Sequence, residues 1–284
     1  MEQKKSKKKL GKILYYVLLI IFALIFIGSA IYIGQYIWGS IQAAEEYGHL
    51  QDLYVPPSRP PITQGTEGTG GTEGTEPPAT GETGVTEPQD PAILPELQVF
   101  YESNKHVVGW ISVPNTKINY PVLQSPERPD YYLNHTYEGK WSAWGAIYVR
   151  ESCDVFKPSD NITIYGHHMK DGSMFTGLDN YRQKSFWEAN QYIYFDTLYE
   201  RHTYQVIGAF RTSANYGEGF PYHLYEDFAS QEEFDDFLSA VKELSREYYA
   251  NDVPAVFGDK FITLSTCEYT LDNGRFVVVA KRVA

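Results

Sequence analysis

Hydrophobic and polar positions fall into three successive patterns along the chain. Between positions 13 and 44 there is no charged residue, and 13–38 is apolar almost throughout. A helix rises about 1.5 Å per residue and a bilayer's hydrocarbon core is roughly 30 Å thick, so these 26 residues predict one tilted transmembrane helix. Tyr15 and Tyr16 stand near its start, and Tyr36 and Trp38 near its end, where interfacial aromatic belts belong. A cleaved signal peptide is the competing reading. Its apolar region normally covers only about 7–15 residues, and Gln42-Ala43-Ala44 makes a weak cleavage site. Next, 55–92 loses its apolar positions: Pro-Pro-Ser-Arg-Pro-Pro gives way to Gly-Thr-Glu repeats through 65–76, then to Pro77-Pro78 and Glu87-Pro88. Nothing there buries enough apolar surface to offset ordering entropy, so a disordered stalk is expected. Coil statistics give its 38 residues a reach of roughly 35 Å, which would tether the C-terminal part of the chain close to the membrane face.

From about position 93 the period changes again. A helical start over 94–104 precedes short runs rich in Val, Ile, Tyr and Phe at 107–113, 118–123, 146–149, 162–167, 192–195, 204–211, 261–267 and 276–283, all of which read as strands. Asp272-Asn273-Gly274 signals a tight turn between the last two. One clear helix interrupts them at 231–248, with Phe234, Phe237, Leu238, Val241 and Leu244 at helical spacing. Strands that outnumber helices and recur at short intervals predict a mainly β domain, a closed or half-closed barrel with peripheral helices. The expected division is a basic tail at 1–12, a transmembrane helix at 13–38, a juxtamembrane segment and stalk at 39–92, and one domain at 93–284.

Composition and charge narrow the picture. Hydrophobic residues make up 43% of the chain, and Tyr alone occurs 24 times, which suits half-exposed strands. The net charge of −12 is unevenly spread: six of the 24 basic residues lie in the first twelve positions. From position 13 onward 18 basic residues face 35 acidic ones. That lysine cluster predicts a cytoplasmic N-terminus with everything after the helix outside the cell. So acidic an outer part argues against nucleic acid as a partner, which needs a basic footprint. The two cysteines, Cys153 and Cys267, do not make a disulfide-dense scaffold, although one bridge remains open on counting alone. No zinc spacing, HExxH or Gly-rich phosphate loop occurs, so neither a metal nor a cofactor is expected.

The candidate chemistry sits at strand ends. In Phe261-Ile262-Thr263-Leu264-Ser265-Thr266-Cys267, period-two alternation puts Ile262 and Leu264 on one face and Thr263, Ser265 and Cys267 on the other. The thiol therefore points away from the aliphatic side, where a reachable nucleophile would sit. A cysteine at a strand end is, taken alone, more often structural. In Asn161-Ile162-Thr163-Ile164-Tyr165-Gly166-His167-His168, Ile162 and Ile164 take the core face, which sets His167 opposite and His168 on the core side if the strand runs that far. Arg275 follows the turn that returns from Cys267 and could steady a thiolate or an oxyanion; on its own an arginine there is more often a solvated edge charge.

Together these residues resemble a known family. Thr263-Leu264-Ser265-Thr266-Cys267, with Arg275 eight residues on, is similar to the Thr-Leu-x-Thr-Cys…Arg signature of sortases. Ile164-Tyr165-Gly166-His167-His168-Met169 resembles the histidine motif of class B sortases. Similarity also runs through Val108-Gly109-Trp110-Ile111, Tyr120-Pro121-Val122-Leu123-Gln124 and Asp130-Tyr131-Tyr132-Leu133, so it covers essentially all of 95–284. The helix at 231–248 matches the class B insertion between the sixth and seventh strands. The resemblance implies an eight-stranded sortase β-barrel and a cysteine transpeptidase with catalytic residues Cys267, His167 and Arg275. By family position Ser265, Thr266 and Glu268 would line the substrate groove, and the backbone N–H of Glu268 would help Arg275 hold the oxyanion. The implied partners are sorting-signal peptides of surface proteins, cleaved at a threonine carbonyl through a thioester, and an amine acceptor. That acceptor would come from a peptidoglycan cross-bridge, its lipid-linked precursor or a pilin lysine.

Two rival readings stand beside this one. An L,D-type transpeptidase also pairs Cys, His and Arg, but its Ser-x-Gly-Cys-x-Arg motif is missing, Arg275 lying eight residues beyond Cys267 rather than two. A stalked, non-enzymatic surface-binding module would carry a Cys153–Cys267 disulfide.

Overall fold

The computed structural model describes residues 2–59, 91–248 and 253–284. Helix α1 (Glu2–Leu53) runs without a break and precedes α2 (Pro95–Ser103). Strands β1 (Val107–Ser112), β2 (Asn119–Leu123), β3 (Ile147–Val149) and β4 (Asn161–Tyr165) follow, then α3 (Lys184–Ala189), β5 (Tyr192–Thr197) and β6 (Thr203–Ser213). Helix α4 (Gln231–Leu244) separates these from β7 (Phe261–Glu268) and β8 (Gly274–Arg282). The eight strands close into a barrel in the order β1-β2-β3-β4-β7-β8-β6-β5. Two neighbouring pairs, β2 with β3 and β4 with β7, are parallel, and the others are antiparallel.

The expected mainly β barrel with peripheral helices is thus the observed architecture, with every predicted strand present to within about two residues at its ends, the margin usual for such boundaries. The clear helix at 231–248 ends as α4 at Leu244 and tightens into a 3-10 turn over Ser245–Glu247. Its start is fixed by side chains: Ser230 accepts from the Glu233 N–H at 3.2 Å, and Glu233 reaches back to the Ala229 N–H at 2.8 Å.

Residues of alternating parity on β7 and β8 serve two cores. Ile262, Leu264, Phe276, Val278 and Ala280 fill the barrel interior with Ile162 and Ile164. Phe261, Val277 and Val279 face outward and are covered by Phe234, Phe237 and Val241 of α4. Gly208 on β6 is what lets α4 come so close, since a Cβ there would meet Ser245 Oγ and Val241 Cγ1, each at 2.5 Å. Both faces of β7 are therefore buried, and its outward hydroxyls need partners: Thr263 donates to Asn161 Oδ1 at 2.7 Å, and Ser265 shares a 2.6 Å bond with Tyr222 OH.

Among the described residues one helix, Lys12–Leu53, is long and apolar enough to cross a membrane. Its C-terminal third packs against the barrel. Ala43, Tyr47, Leu50 and Tyr54 are buried in the main core, Tyr54 stacking on Trp110 with ring centroids 4.0 Å apart. Tyr47 OH donates to the Gly145 carbonyl at 2.5 Å, and Gln51 donates to the Asn119 carbonyl at 2.8 Å. The helix and the barrel therefore touch directly, so the reach of a stalk does not set the distance between them. Of that expected stalk, 60–90 lies outside the described residues. Its two flanks both meet the β5 region: Arg59 pairs with Asp196 at 2.5 Å, and the Leu94 N–H donates to the Leu198 carbonyl at 2.7 Å.

Candidate active site

The site is assembled where β4, β7 and β8 end together. Cys267 lies opposite Arg275 in the antiparallel β7–β8 register. Parallel pairing of β4 with β7 runs through Tyr165 opposite Ser265 and extends by one bond, Gly166 N–H to the Ser265 carbonyl at 3.1 Å. The next residue, His167, is thereby delivered beside Cys267. All three line one cleft of about 320 Å³, with Tyr222 and His223 among the other wall residues. Cys267 is partly exposed, as a nucleophile requires.

Gly166 has a specific task. A Cβ there would lie 2.5 Å from Ile147 Cδ1 and 2.6 Å from Phe175 Cγ. The fully buried Phe175 ring occupies that space, and its N–H donates to the His167 carbonyl at 2.9 Å, which ends β4 and turns the chain. The His167 Nε2 lies 2.7 Å from the Leu133 carbonyl oxygen. A carbonyl only accepts, so Nε2 carries the hydrogen and Nδ1 is the nitrogen left for proton exchange. His168 turns elsewhere: its Nε2–H donates to Asp179 Oδ2 at 2.8 Å, and its carbonyl accepts from Tyr269 OH at 3.1 Å. The strand stops at Tyr165, so the core-side placement that a longer strand would give His168 does not arise.

Arg275 is braced by Nη1, which donates to the Asn273 carbonyl and Oδ1 and to the Gly274 carbonyl at 3.2, 3.1 and 2.9 Å. Its Nη2 and Nε take no partner among the described residues. Of the three residues that the resemblance places along the substrate groove, Ser265 and Thr266 are among those lining this cleft and Glu268 is not. The Ser265 hydroxyl is engaged by Tyr222, whereas the Thr266 hydroxyl is buried without a partner among the described residues. Glu268 is tied into the β7–β8 turn by the Thr270 hydroxyl and the Thr270 and Leu271 N–H groups, with Arg182 Nη2 at 3.4 Å. Burial opposes its charge, but these donors outweigh it and hold the carboxyl below its ordinary range.

Sequence reasoning missed three contributors. Tyr222 and His223 arrive on a 3-10 turn, Tyr222–Leu224, in an irregular excursion between β6 and α4 where no periodicity marks them. Burial and the nearby cations of Arg150 and Arg275 lower the proton affinity of the His223 imidazole. The third is a backbone carbonyl, that of Leu133, which carries no side-chain signal.

Cys153 is free and is not among the residues that line this cleft. It is 4% exposed, with its thiol against the carbonyl of Asn161 at the opposite end of β4. The thiol also meets the Thr163 backbone, and Thr163 pairs with Thr263, four steps along β7 from Cys267, about 13 Å at strand rise. A disulfide needs Cα atoms within about 7 Å, so the bridge required by the non-enzymatic reading is not made.

A closed eight-stranded barrel carrying a cysteine, a histidine and an arginine at neighbouring strand ends defines a class of cysteine acyl-transfer enzyme. Comparison with known proteins makes this specific. Residues 111–283 match the family model for the sortase domain. Sortase B of Staphylococcus aureus is 34% identical over 191 residues, covering 66% of this chain and 75% of that protein, and sortase B of Listeria monocytogenes is 33% identical over 192 residues, covering 66% and 74%. Among solved structures, sortase B from Bacillus anthracis in complex with AAEK1 superposes with a TM-score of 0.65 at 28% identity, covering 87% of this chain and 99% of that one. The Staphylococcus aureus sortase B–substrate complex gives 0.61 at 33%, covering 68% and 86%. The chain belongs to the sortase family, class B, and is a cysteine transpeptidase.

Proposed function

We propose that this enzyme cleaves sorting-signal peptides at a threonine carbonyl and passes the acyl group to an amine outside the cell. The observation that carries the reading is the convergence of Cys267, His167 and Arg275 on one cleft from three adjacent strand ends. The Cys267 thiolate attacks the threonine carbonyl carbon, forming the C–S bond of a tetrahedral intermediate. The Arg275 guanidinium, held by the Asn273–Gly274 turn, and the backbone N–H of Glu268 take the developing oxyanion. His167, as imidazolium, donates its Nδ1 proton to the departing amine as the C–N bond breaks. Its Nε2–H stays on the Leu133 carbonyl through both charge states, so one hydrogen bond orients the ring throughout. An amine of a peptidoglycan cross-bridge, a lipid-linked precursor or a pilin lysine then attacks the thioester and frees the thiol. The substrate side is supported by a relative, since sortase B of Staphylococcus aureus has been solved in complex with its substrate. Helix α1 serves as a single-pass anchor, with its lysine-rich end cytoplasmic and the barrel outside.

The test is to incubate the full-length enzyme in detergent with a sorting-peptide library and an amine acceptor, and to read products by mass spectrometry. Scission after a threonine with transfer to the amine is expected. Products formed equally well after Cys267 has been blocked would remove the reading.

Arg275→Lys separates fork from charge. Lysine keeps the positive charge but cannot brace one nitrogen on the turn while presenting others to a carbonyl. Turnover should fall by at least about 10-fold, or ~1.4 kcal/mol of barrier. Near-normal steady-state turnover would demote Arg275 to a surface charge.

A further inference from the structure

Trp141 is 74% exposed in a protein whose other barrel tryptophans, Trp110, Trp144 and Trp187, are buried. It stands at the far side of a short hairpin, bridged to His135. The hairpin lies against the anchor helix: Trp144 packs on Tyr36 with ring centroids 5.3 Å apart, and a Cβ at Gly39 would lie 2.7 Å from the Trp144 ring. Trp144 Nε1 and Ser40 Oγ both donate to Asp171 Oδ2 at 2.9 Å, which pins helix and hairpin to the same carboxylate. Tyr32, Tyr36, Trp38, Trp141 and Trp144 line one groove of about 720 Å³.

The height of that groove is set by the helix. About 20 residues of helix span the hydrocarbon core, so a span entering at Ile13 leaves it near Tyr32. The stretch from Tyr32 to Trp38 then occupies the outer headgroup region, where Tyr and Trp are favoured. Trp141 shares the groove with these residues and lies in the chain between Trp144, which packs at the level of Tyr36 and Gly39, and Glu138, whose N–H donates to Glu46 at 3.2 Å about 10 Å further along the helix. We propose that the Trp141 hairpin and the outer end of α1 form one lipid-contacting surface that seats the barrel on the outer leaflet. This rests on the anchor reading given above. The occupant is the bilayer interface rather than a protein, because the groove is continuous with the helix face that the membrane itself must cover. The catalytic consequence is direct. Leu133, whose carbonyl orients His167, lies two residues before His135, so the cleft wall is within roughly 12 Å of Trp141, the limit set by an extended chain and one bridge spacing. A seated hairpin keeps the cleft at the membrane surface.

The test uses full-length protein in phosphatidylcholine–phosphatidylglycerol vesicles whose acyl chains carry bromine near either the headgroup end or the methyl end. The emission of Trp141 is read as the difference between wild type and Trp141→Phe, a change at an exposed position that leaves the fold alone. Trp38→Phe gives the same reading for the anchor. The expected result is loss of the Trp141 emission with shallow bromine and little loss with deep bromine, and no quenching by aqueous iodide. If Trp38 is quenched by bromine while Trp141 is quenched only by iodide, the barrel stands off the membrane and the proposal fails. Shielding of Trp141 from both quenchers would mean a second copy or another protein covers it, and also overturns the proposal. If neither tryptophan meets bromine, the anchor reading fails and takes this one with it.

Discussion

Cys267→Ala is expected to abolish both peptide cleavage and labelling by methanethiosulfonate reagents, while Cys153→Ala leaves activity largely intact. The difference lies in surroundings rather than in residue type. Cys153 is packed among apolar side chains, and burial pushes its thiol up to about 12, so it stays protonated and inert at neutral pH. Cys267 is partly exposed, at the mouth of a cleft that also holds His167 and Arg275. Intact-mass measurement after reagent treatment gives the labelling, and the peptide assay gives the activity. A dead Cys153→Ala enzyme of normal fold, or single labelling on Cys153, would show that the nucleophile had been misplaced.

Much of this arrangement is legible in the chain because period-two alternation survives to the end of β7. Ile262 and Leu264 point into the barrel and Cys267 points out of it, as their parity dictates. The chemistry of the outward face was not legible. Thr263 and Ser265 read as a polar, open surface, yet both are buried because α4 and the excursion before it fold back over β7. Such long-range cover leaves no local trace in the strand it covers. Glu268 illustrates a different limit. By family position it would line the groove, but its carboxylate is spent on the β7–β8 turn, a tertiary detail that its place in the strand does not announce. Docking of α1 is an intermediate case. Tyr47, Leu50 and Tyr54 are spaced by three and four, a helical stripe that continues past the apolar run. The charges at Glu45 and Glu46 make that stripe look like the end of the helix, and only the barrel surface opposite explains why it continues. The Leu133 carbonyl was beyond reach of any sequence pattern, since every residue offers the same group.

His167→Ala should lose nearly all transpeptidation while retaining its fold by circular dichroism, whereas His168→Ala should be only partly impaired. The two residues are adjacent, chemically identical and separated only by where the strand stops. Packing of Phe175 against the bare backbone of Gly166 ends β4 and turns His167 into the cleft. There the Leu133 carbonyl takes its Nε2–H and leaves Nδ1 for the proton that the reaction must move. Removing this imidazole takes away the proton donor for the leaving amine and a cleft neighbour of the thiol, so the rate of Cys267 labelling should change as well. His168 instead holds Asp179 and Tyr269, which brace the 3-10 segment Phe175–Arg182 against the end of β7. Its loss leaves the Asp179 carboxylate still paired with Arg182 and should loosen the site without removing a reacting group. Transpeptidation rates and thiol-labelling profiles of the two variants, measured side by side, decide the matter. An inactive His168→Ala enzyme beside an active His167→Ala enzyme would overturn both the role given to the Leu133 contact and the assignment of the proton donor.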